Sequence, residues 1–331
     1  MGNLIYKHAA LICDDAYVMP TVVTVKSLIE NIHLLPDERL IVHICTFSLN
    51  SENKAILRKL NSDNASVEIL EVDQNAFQKK IELVGQKSHV THTSLIKFEL
   101  PNLFLNIDNM LYLDSDIVIK RDINELFNIN LSDYYMAASA EFWKYLNGVW
   151  NGYKVSEIDF YFNSGVMMMN LKKMREDNLT QSLWDAKLTG LNDPSRKTMD
   201  QDSLNDVCAK KTLPLSIKWN FNTAFSNDVD LKLINQVFNE RYNSFEELFE
   251  DVRVIHYVGK EEKPWKYENA IFRELWDSYY LKAGFNINEL TREKVTHGLG
   301  WYVSVLRGVI KQYGVVGAIR YCWFKIKNRG R

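Results

Sequence analysis

Residues 111–122 read LYLDSDIVIKRD. Leu111 to Leu113 form an apolar run, Asp114 and Asp116 interrupt it, and Ile117, Val118 and Ile119 return to β-branched side chains. Such residues pack well on a pleated surface, so a buried strand is predicted to end at Asp114. Upstream, residues 8–15 (HAALICDD) repeat the pattern, with Asp14 and Asp15 closing a first apolar run. Residues 19–32 then show helical spacing, with Pro20 at a first helical position. Residues 40–47 (LIVHICTF) and 66–73 (SVEILEVD) predict two more strands, separated by an amphipathic helix over 51–62 that Asn50 or Ser51 caps. Strands alternating with helices of about a dozen residues predict a mostly parallel, Rossmann-like α/β sheet with helices on both faces. Ligands bind such sheets beyond the carboxyl ends of the strands, where both acid pairs fall. Downstream, a helix through 91–100 is expected to stop at Pro101, a strand covers 134–142, and residues 161–176 pass from strand into helix.

Composition narrows the field. With 331 residues, 46% hydrophobic and 25% charged, the chain reads as an ordinary globular protein that can hold one large α/β domain with appendages or two modest domains. A net charge of −2 offers no whole-surface attraction for nucleic acid, and no such partner is expected. Cys13, Cys45, Cys208 and Cys322 are far apart with no C-x-x-C pair, which argues against a disulfide scaffold or thiolate zinc site and suits a reducing cytoplasm. The first apolar stretch is too short for a signal peptide, and no run of about 18 apolar residues predicts a spanning helix. Residues 301–331 carry seven Lys or Arg and no acid, interleaved with Trp301, Tyr302, Tyr313, Tyr321, Trp323 and Phe324. This pattern fits either an anionic membrane surface, at the inner face of the cytoplasmic membrane, or a packed helix with a solvated basic face. The expected division is 1–283 for the main domain and 284–331 for a helical C-terminal tail.

Two carboxylates with one residue between them suit a hard divalent cation such as Mg²⁺ or Mn²⁺, provided the backbone turns after Asp114. An EF-hand loop is excluded, because Val118 and Ile119 stand where that loop needs a ligand and a glycine. Residues 254–265 (VIHYVGKEEKPW) add His256 as an imidazole ligand, Gly259 for close backbone approach to a phosphate, and Lys263 as a point charge for it. Residues 199–205 (MDQDSLN) place Asp200, Gln201 and Asp202 before a helix, where one acid is expected to act as an N-cap.

In this order and spacing, LYLDSDIVIKRDINELF, YFNSGVMMMNLKKMRE, DQDSLN and HYVGKEEKPW resemble family 8 glycosyltransferases, over residues 11–265. That family includes bacterial lipopolysaccharide galactosyl- and glucosyltransferases, with glycogenin a more distant relative. The resemblance implies a GT-A fold, a UDP-galactose or UDP-glucose donor, Mn²⁺ (or Mg²⁺), and transfer with retention to a glycan or glycolipid acceptor. It implies Asp114, Asp116 and His256 as metal ligands, with Ser115 between the acids at the donor. Asp14 matches an acid near the uracil and ribose, and Lys97 a basic residue close to the donor sugar. Asn163 and Ser164 match an N-[AS]-G turn lining the sugar pocket, and Gly259 and Lys263 the diphosphate loop. Asp200 matches an acid gripping sugar hydroxyls, and Gln201 lies beside the reacting face. Two positions depart from the pattern: Ala16 stands where many relatives have Asn, and Glu141 where relatives often have Asp near the acceptor.

Two other classes stay in view. A metal-dependent nucleotidyltransferase would also use paired Asp residues, but it usually needs a Gly-rich loop near the first strand, and ICDDAYVMPT has none. A non-catalytic sugar-binding module would have no need of Asp200, Gln201 and Lys263 together.

Overall fold

The computed structural model describes residues 4–84, 92–141, 149–150, 153–154, 160–193, 200–223, 231–259 and 261–295, together with 310, 315 and 319. Twelve strands are described: β1 (Ile5–Ile12), β2 (Glu38–Thr46), β3 (Ala65–Glu71), β4 (Asn109–Leu113), β5 (Ile117–Ile119), β6 (Met136–Ala140), β7 (Val149–Trp150), β8 (Tyr153–Lys154), β9 (Phe162–Asn170), β10 (Thr212–Leu215), β11 (Phe221–Asn222) and β12 (Val254–His256). Seven build the main sheet in the order β10-β6-β9-β4-β1-β2-β3. Neighbours are parallel except β9, which runs antiparallel to β4 and β6. A smaller sheet, β11-β12-β5, and the antiparallel pair β7-β8 complete the strands among the described residues.

The strands alternate between two cores, as a period of two requires. Leu11, Val42, Ile44, Leu111, Leu113, Val166 and Met168 join one core, shared with the helices Val18–Asn31 and Ser51–Arg58. Ala10, Cys45, Met110, Tyr112, Met167 and Met169 join the other, against the helices Gln74–Val84, Leu179–Thr189 and Gln201–Cys208. Helices therefore cover both faces. A third core around Val118, Phe221, Ile255, Tyr257 and Trp276 holds the small sheet against the helix Arg273–Lys282.

Local signals decide most element ends. Asn50 caps Ser51–Arg58 by accepting from Asn53 N at 2.8 Å. The first strand starts and ends earlier than expected, leaving Asp14 and Asp15 beyond its carboxyl end. The segment before Pro101 differs more. Residues His92–Glu99 form 3₁₀ turns, and a short helix Leu100–Leu103 begins at Pro101's own first turn instead of stopping there. Proline is tolerated in a first turn because that N–H has no helical partner in any case.

Packing also runs past the expected domain boundary at 283. Phe285, Ile287 and Leu290 join the third core, and Asn269 Nδ2 donates to Val295 O at 3.1 Å. Most of the expected basic tail lies outside the described residues; Ile310, Val315 and Ile319 within it are helical and exposed. Among the described residues no helix is long and apolar enough to cross a membrane.

Candidate active site

The antiparallel β9 determines what gathers at one edge of the sheet. Its first residues, Phe162 to Ser164, lie at the end where β4 delivers Asp114 and β6 delivers Glu141. The backbone of Asp114 is tied there, its N–H donating to Gly165 O at 2.8 Å. A tight turn carries the chain from β4 into β5, and Ile117 pairs with His256 in antiparallel register. That pairing brings His256 beside Asp116, and Tyr257 N extends the ladder to Asp116 O at 2.9 Å. The helix Val18–Asn31 holds the turn from behind: Thr24 Oγ1 donates to Ser115 O at 2.9 Å and Ile117 O at 2.7 Å.

Asp114, Asp116 and His256 converge, each offering a ligand atom within 4.8 Å of the others. His256 Nε2 stands 3.1 Å from Asp116 Oδ1 and 3.7 Å from Asp114 Oδ2. Ligands about 2.1 Å from a shared ion at right angles are about 3 Å apart, so small side-chain shifts give a divalent site. The other ring nitrogen of His256 lies 3.0 Å from Asn220 Oδ1. That acceptor favours a proton on Nδ1, which leaves Nε2 as a ligand lone pair. Gly165 makes room for the cluster. A Cβ there would stand 2.2 Å from His256 Cε1 and 2.9 Å from Asp114 Oδ2.

Lysines flank the carboxylates on both sides. Lys263 Nζ bonds Asp116 Oδ2 and donates to Tyr257 O at 2.5 Å. Burial opposes ionisation of Asp116, but Lys263 and His256 outweigh it and hold its carboxyl well below the usual carboxylate range. Lys97, 2% exposed, bonds Asp200 Oδ2 and lies 3.4 Å from Asp114 Oδ1. Burial disfavours its ammonium, yet Asp114 and Asp200 raise its pKa above the ordinary lysine value. Beneath it Tyr112 donates to Asp114 Oδ1 at 2.7 Å and presents its ring 4.4 Å from Lys97 Nζ. Burial and these carboxylates push the Tyr112 phenol well above its usual range, so it remains a donor.

From Asp200 the contacts continue without a break. Ser164 Oγ donates to Asp200 Oδ2 at 3.1 Å, and Ser164 N to Gln201 Oε1 at 3.1 Å. Glu141 Oε2 accepts from Asn163 Nδ2 at 2.7 Å and Gln201 Nε2 at 3.4 Å. Asn163 Oδ1 in turn accepts from Asn220 Nδ2 at 2.8 Å and Gly165 N at 2.9 Å. One network therefore spans Lys97, Asp114, Asp116, Glu141, Asn163, Ser164, Asp200, Gln201, His256 and Lys263. Asp200 stands at the N-cap position of its helix but makes no side-chain cap bond, contrary to the cap expected from the acid cluster. Lys97 and Ser164 take its carboxylate instead, because a buried ammonium is the stronger partner.

Three more residues expected at the donor have local roles of their own in the structure. Ser115 Oγ donates to Ile12 O at 2.8 Å, so its side chain ties β1 to the acid turn. Asp14 caps the 3₁₀ turn Asp15–Tyr17, accepting from Ala16 N at 3.1 Å and Tyr17 N at 3.2 Å. Gly259 adopts φ +101°, a left-handed conformation open to glycine, in the loop that leads to Lys263. Tyr112 and Asn220, which no sequence motif singles out, also belong to the site, as does Gly165 of the N-[AS]-G turn. Tyr112 was detectable, lying two residues before Asp114 on one strand; Asn220 carried no local signal.

The chain has the fold of nucleotide-sugar transferases of the GT-A type. The galactosyltransferase LgtC, solved with donor and acceptor sugar analogues, superposes with a TM-score of 0.66 at 21% identity, covering 90% of this chain and 99% of that one. The profile of Glycosyl transferase family 8 matches residues 8–269, and the chain belongs to that family. An Escherichia coli lipopolysaccharide 1,2-glucosyltransferase is 27% identical over 266 residues, 76% of this chain and 71% of that protein. A glycosyltransferase-named protein of Haemophilus influenzae is 29% identical over 214 residues, 63% of this chain and 61% of that protein. The match thus spans less than two thirds of the Haemophilus relative's length.

Proposed function

We propose that the protein is a retaining hexosyltransferase that moves glucose or galactose from a UDP-sugar to a hydroxyl of a glycan or glycolipid acceptor, in synthesis of lipopolysaccharide or another surface polysaccharide. The observation that carries this is the convergence of Asp114, Asp116 and His256 within 4.8 Å, at the sheet edge where Lys97 grips Asp200. The names of the E. coli and LgtC relatives support the choice of sugar and acceptor class.

A sugar diphosphate leaves poorly until charge on its oxygens is neutralised. A divalent ion, Mn²⁺ or Mg²⁺, held by Asp114, Asp116 and His256 would supply Lewis-acid neutralisation of the departing diphosphate. Lys263 and the Gly259 backbone would aim donors at the same charge. Asp14 would lie towards the uridine, while Lys97, Asn163, Ser164 and Asp200 would hold the hexose. Retention by two displacements needs a carboxylate nucleophile. Asp200 is already engaged by Lys97 and Ser164, and Glu141 by Asn163 and Gln201. Gln201 is an amide and a poor nucleophile. The acceptor hydroxyl would therefore attack from the face that UDP leaves, giving its proton to the departing phosphate. A covalent sugar trapped on Asp200, Glu141 or Gln201 and seen by mass spectrometry overturns this route. The basic aromatic stretch 301–331 would attach the enzyme to the inner face of the cytoplasmic membrane.

UDP release measured across UDP-glucose, UDP-galactose and their N-acetyl forms tests the proposal. Release is expected from one or both hexoses and only with added divalent ion. Asp116→Asn should fold yet lose about 100-fold or more of that release. Near-normal turnover in the variant refutes the ligand set.

A further inference from the structure

We propose that Arg292 is a positioning residue for donor binding: it anchors the loop bearing Lys263 to the helix Arg273–Lys282 and so holds the ammonium where a diphosphate would lie. This rests on Lys263 being the diphosphate contact proposed above.

Lys263 reaches Asp116 from a loop, so something besides regular structure must fix it. Lys266 N and Tyr267 N donate to Lys263 O at 2.9 and 3.0 Å, which closes the turn on itself. A side-chain tie to the neighbouring helix is made one residue on, where Arg292 Nε donates to Pro264 O at 2.6 Å. The other guanidinium nitrogens fork onto Asp277: Nη1 reaches Oδ2 at 3.1 Å, and Nη2 bonds Oδ1. Asp277 is 8% exposed and also lies 3.6 Å from Arg273 Nε. The guanidinium sits 5.9 Å from the Trp276 ring, which packs at 6.0 Å against Trp265 of the loop. A planar fork with five donors can join two elements in this way; a single ammonium cannot reproduce the geometry. Beside it, Glu293 N donates to Lys266 O at 2.7 Å and Glu268 N to Glu293 O at 3.0 Å, lacing the same stretch.

The helix so engaged is itself fixed to the acid turn. Asn31 Nδ2 donates to Tyr279 OH at 2.6 Å and Lys282 Nζ to Glu30 Oε2 at 2.6 Å, joining it to the helix Val18–Asn31. Thr24 of that helix is the residue that holds Ser115 O and Ile117 O. Both sides of the candidate site are thus referenced to one helix, the Lys263 side through Arg292.

Titration calorimetry of UDP with Mn²⁺ present tests the assignment in Arg292→Ala, Arg292→Lys, Lys263→Ala and the double variant Arg292→Ala/Lys263→Ala. Uridine, which lacks the diphosphate, serves as the control ligand. Lys263→Ala and each Arg292 variant are expected to weaken UDP on the order of tenfold and leave uridine within about twofold. In the Lys263→Ala background, Arg292→Ala should add less than about twofold. Equal losses for Arg292→Ala in both backgrounds, or losses shared by uridine, overturn the positioning role alone. An undisturbed Lys263→Ala overturns the diphosphate reading of Lys263 and this inference with it. Arg292→Lys keeps a cation beside Asp277, so the cycle is read with Arg292→Lys and Arg292→Lys/Lys263→Ala should Arg292→Ala fail to fold.

Discussion

Replacing Gly165 by alanine should disable the candidate metal site while sparing most of the fold. The backbone there is ordinary strand in the middle of β9, so alanine meets no conformational penalty. The obstacle is space. The new methyl would lie 2.2 Å from His256 Cε1, 2.7 Å from His256 Nδ1 and 2.9 Å from Asp114 Oδ2. Carbon contacts are comfortable at about 3.5 Å or more, so the imidazole must retreat by more than about 1 Å. It has little room to do so, being 4% exposed and bonded to Asn220. A metal site tolerates ligand displacements of about 0.2 Å, so a retreat of this size removes His256 from the ligand set. Divalent-ion affinity should fall by about 100-fold or more, and metal-dependent UDP release with it. Overpacking of this kind costs about 1–3 kcal/mol of stability, which a domain of this size can absorb. Mn²⁺ titration by electron paramagnetic resonance, with thermal melting alongside, separates the two effects. A folded Gly165→Ala protein that binds Mn²⁺ within about twofold of the parent refutes the shared-ion geometry.

Two further outcomes are expected. His43 is buried beside His8, their ring nitrogens 3.0 Å apart, and desolvation followed by repulsion from His8 lowers its pKa from 6.5 to about 4. Glu68 lies 3.4 Å away but is largely in solvent, so its pull is screened. Above pH 6.5 neither folded nor unfolded His43 binds a proton; between 6.5 and about 4 the unfolded chain does so first, and stability falls by up to about 3 kcal/mol. Denaturant midpoints across that range should drop less steeply in His43→Leu, and superimposable profiles contradict the assignment. Removal of residues 298–331 should release the protein from anionic liposomes in a sedimentation assay, and unchanged binding discards the membrane role.

Much of the scaffold was legible from residues alone. β1 to β3 and their helices announce themselves by local periodicity, and Asn50 marks a helix start through a bond three residues away. The edge carrying Asp114 and Asp116 follows from strands that end in acids, because a side chain at a strand's carboxyl end can face only that edge. Pro101 misled because the same ring that blocks a helix interior is at home in a first turn, and only the surrounding fold distinguishes the two cases.

Chemistry-bearing residue types are thus a property of the sequence, and their convergence is a property of the tertiary structure. The reversal of β9 sets Ser164 on Asp200, the β5–β12 register sets His256 on Asp116, and Lys263 meets Asp116 from 147 positions away. Asn220, which orients the imidazole, and Arg292, which holds the loop, leave no trace in their own neighbourhoods. Their partners are chosen by sheet order and helix packing, which depend on the whole chain at once.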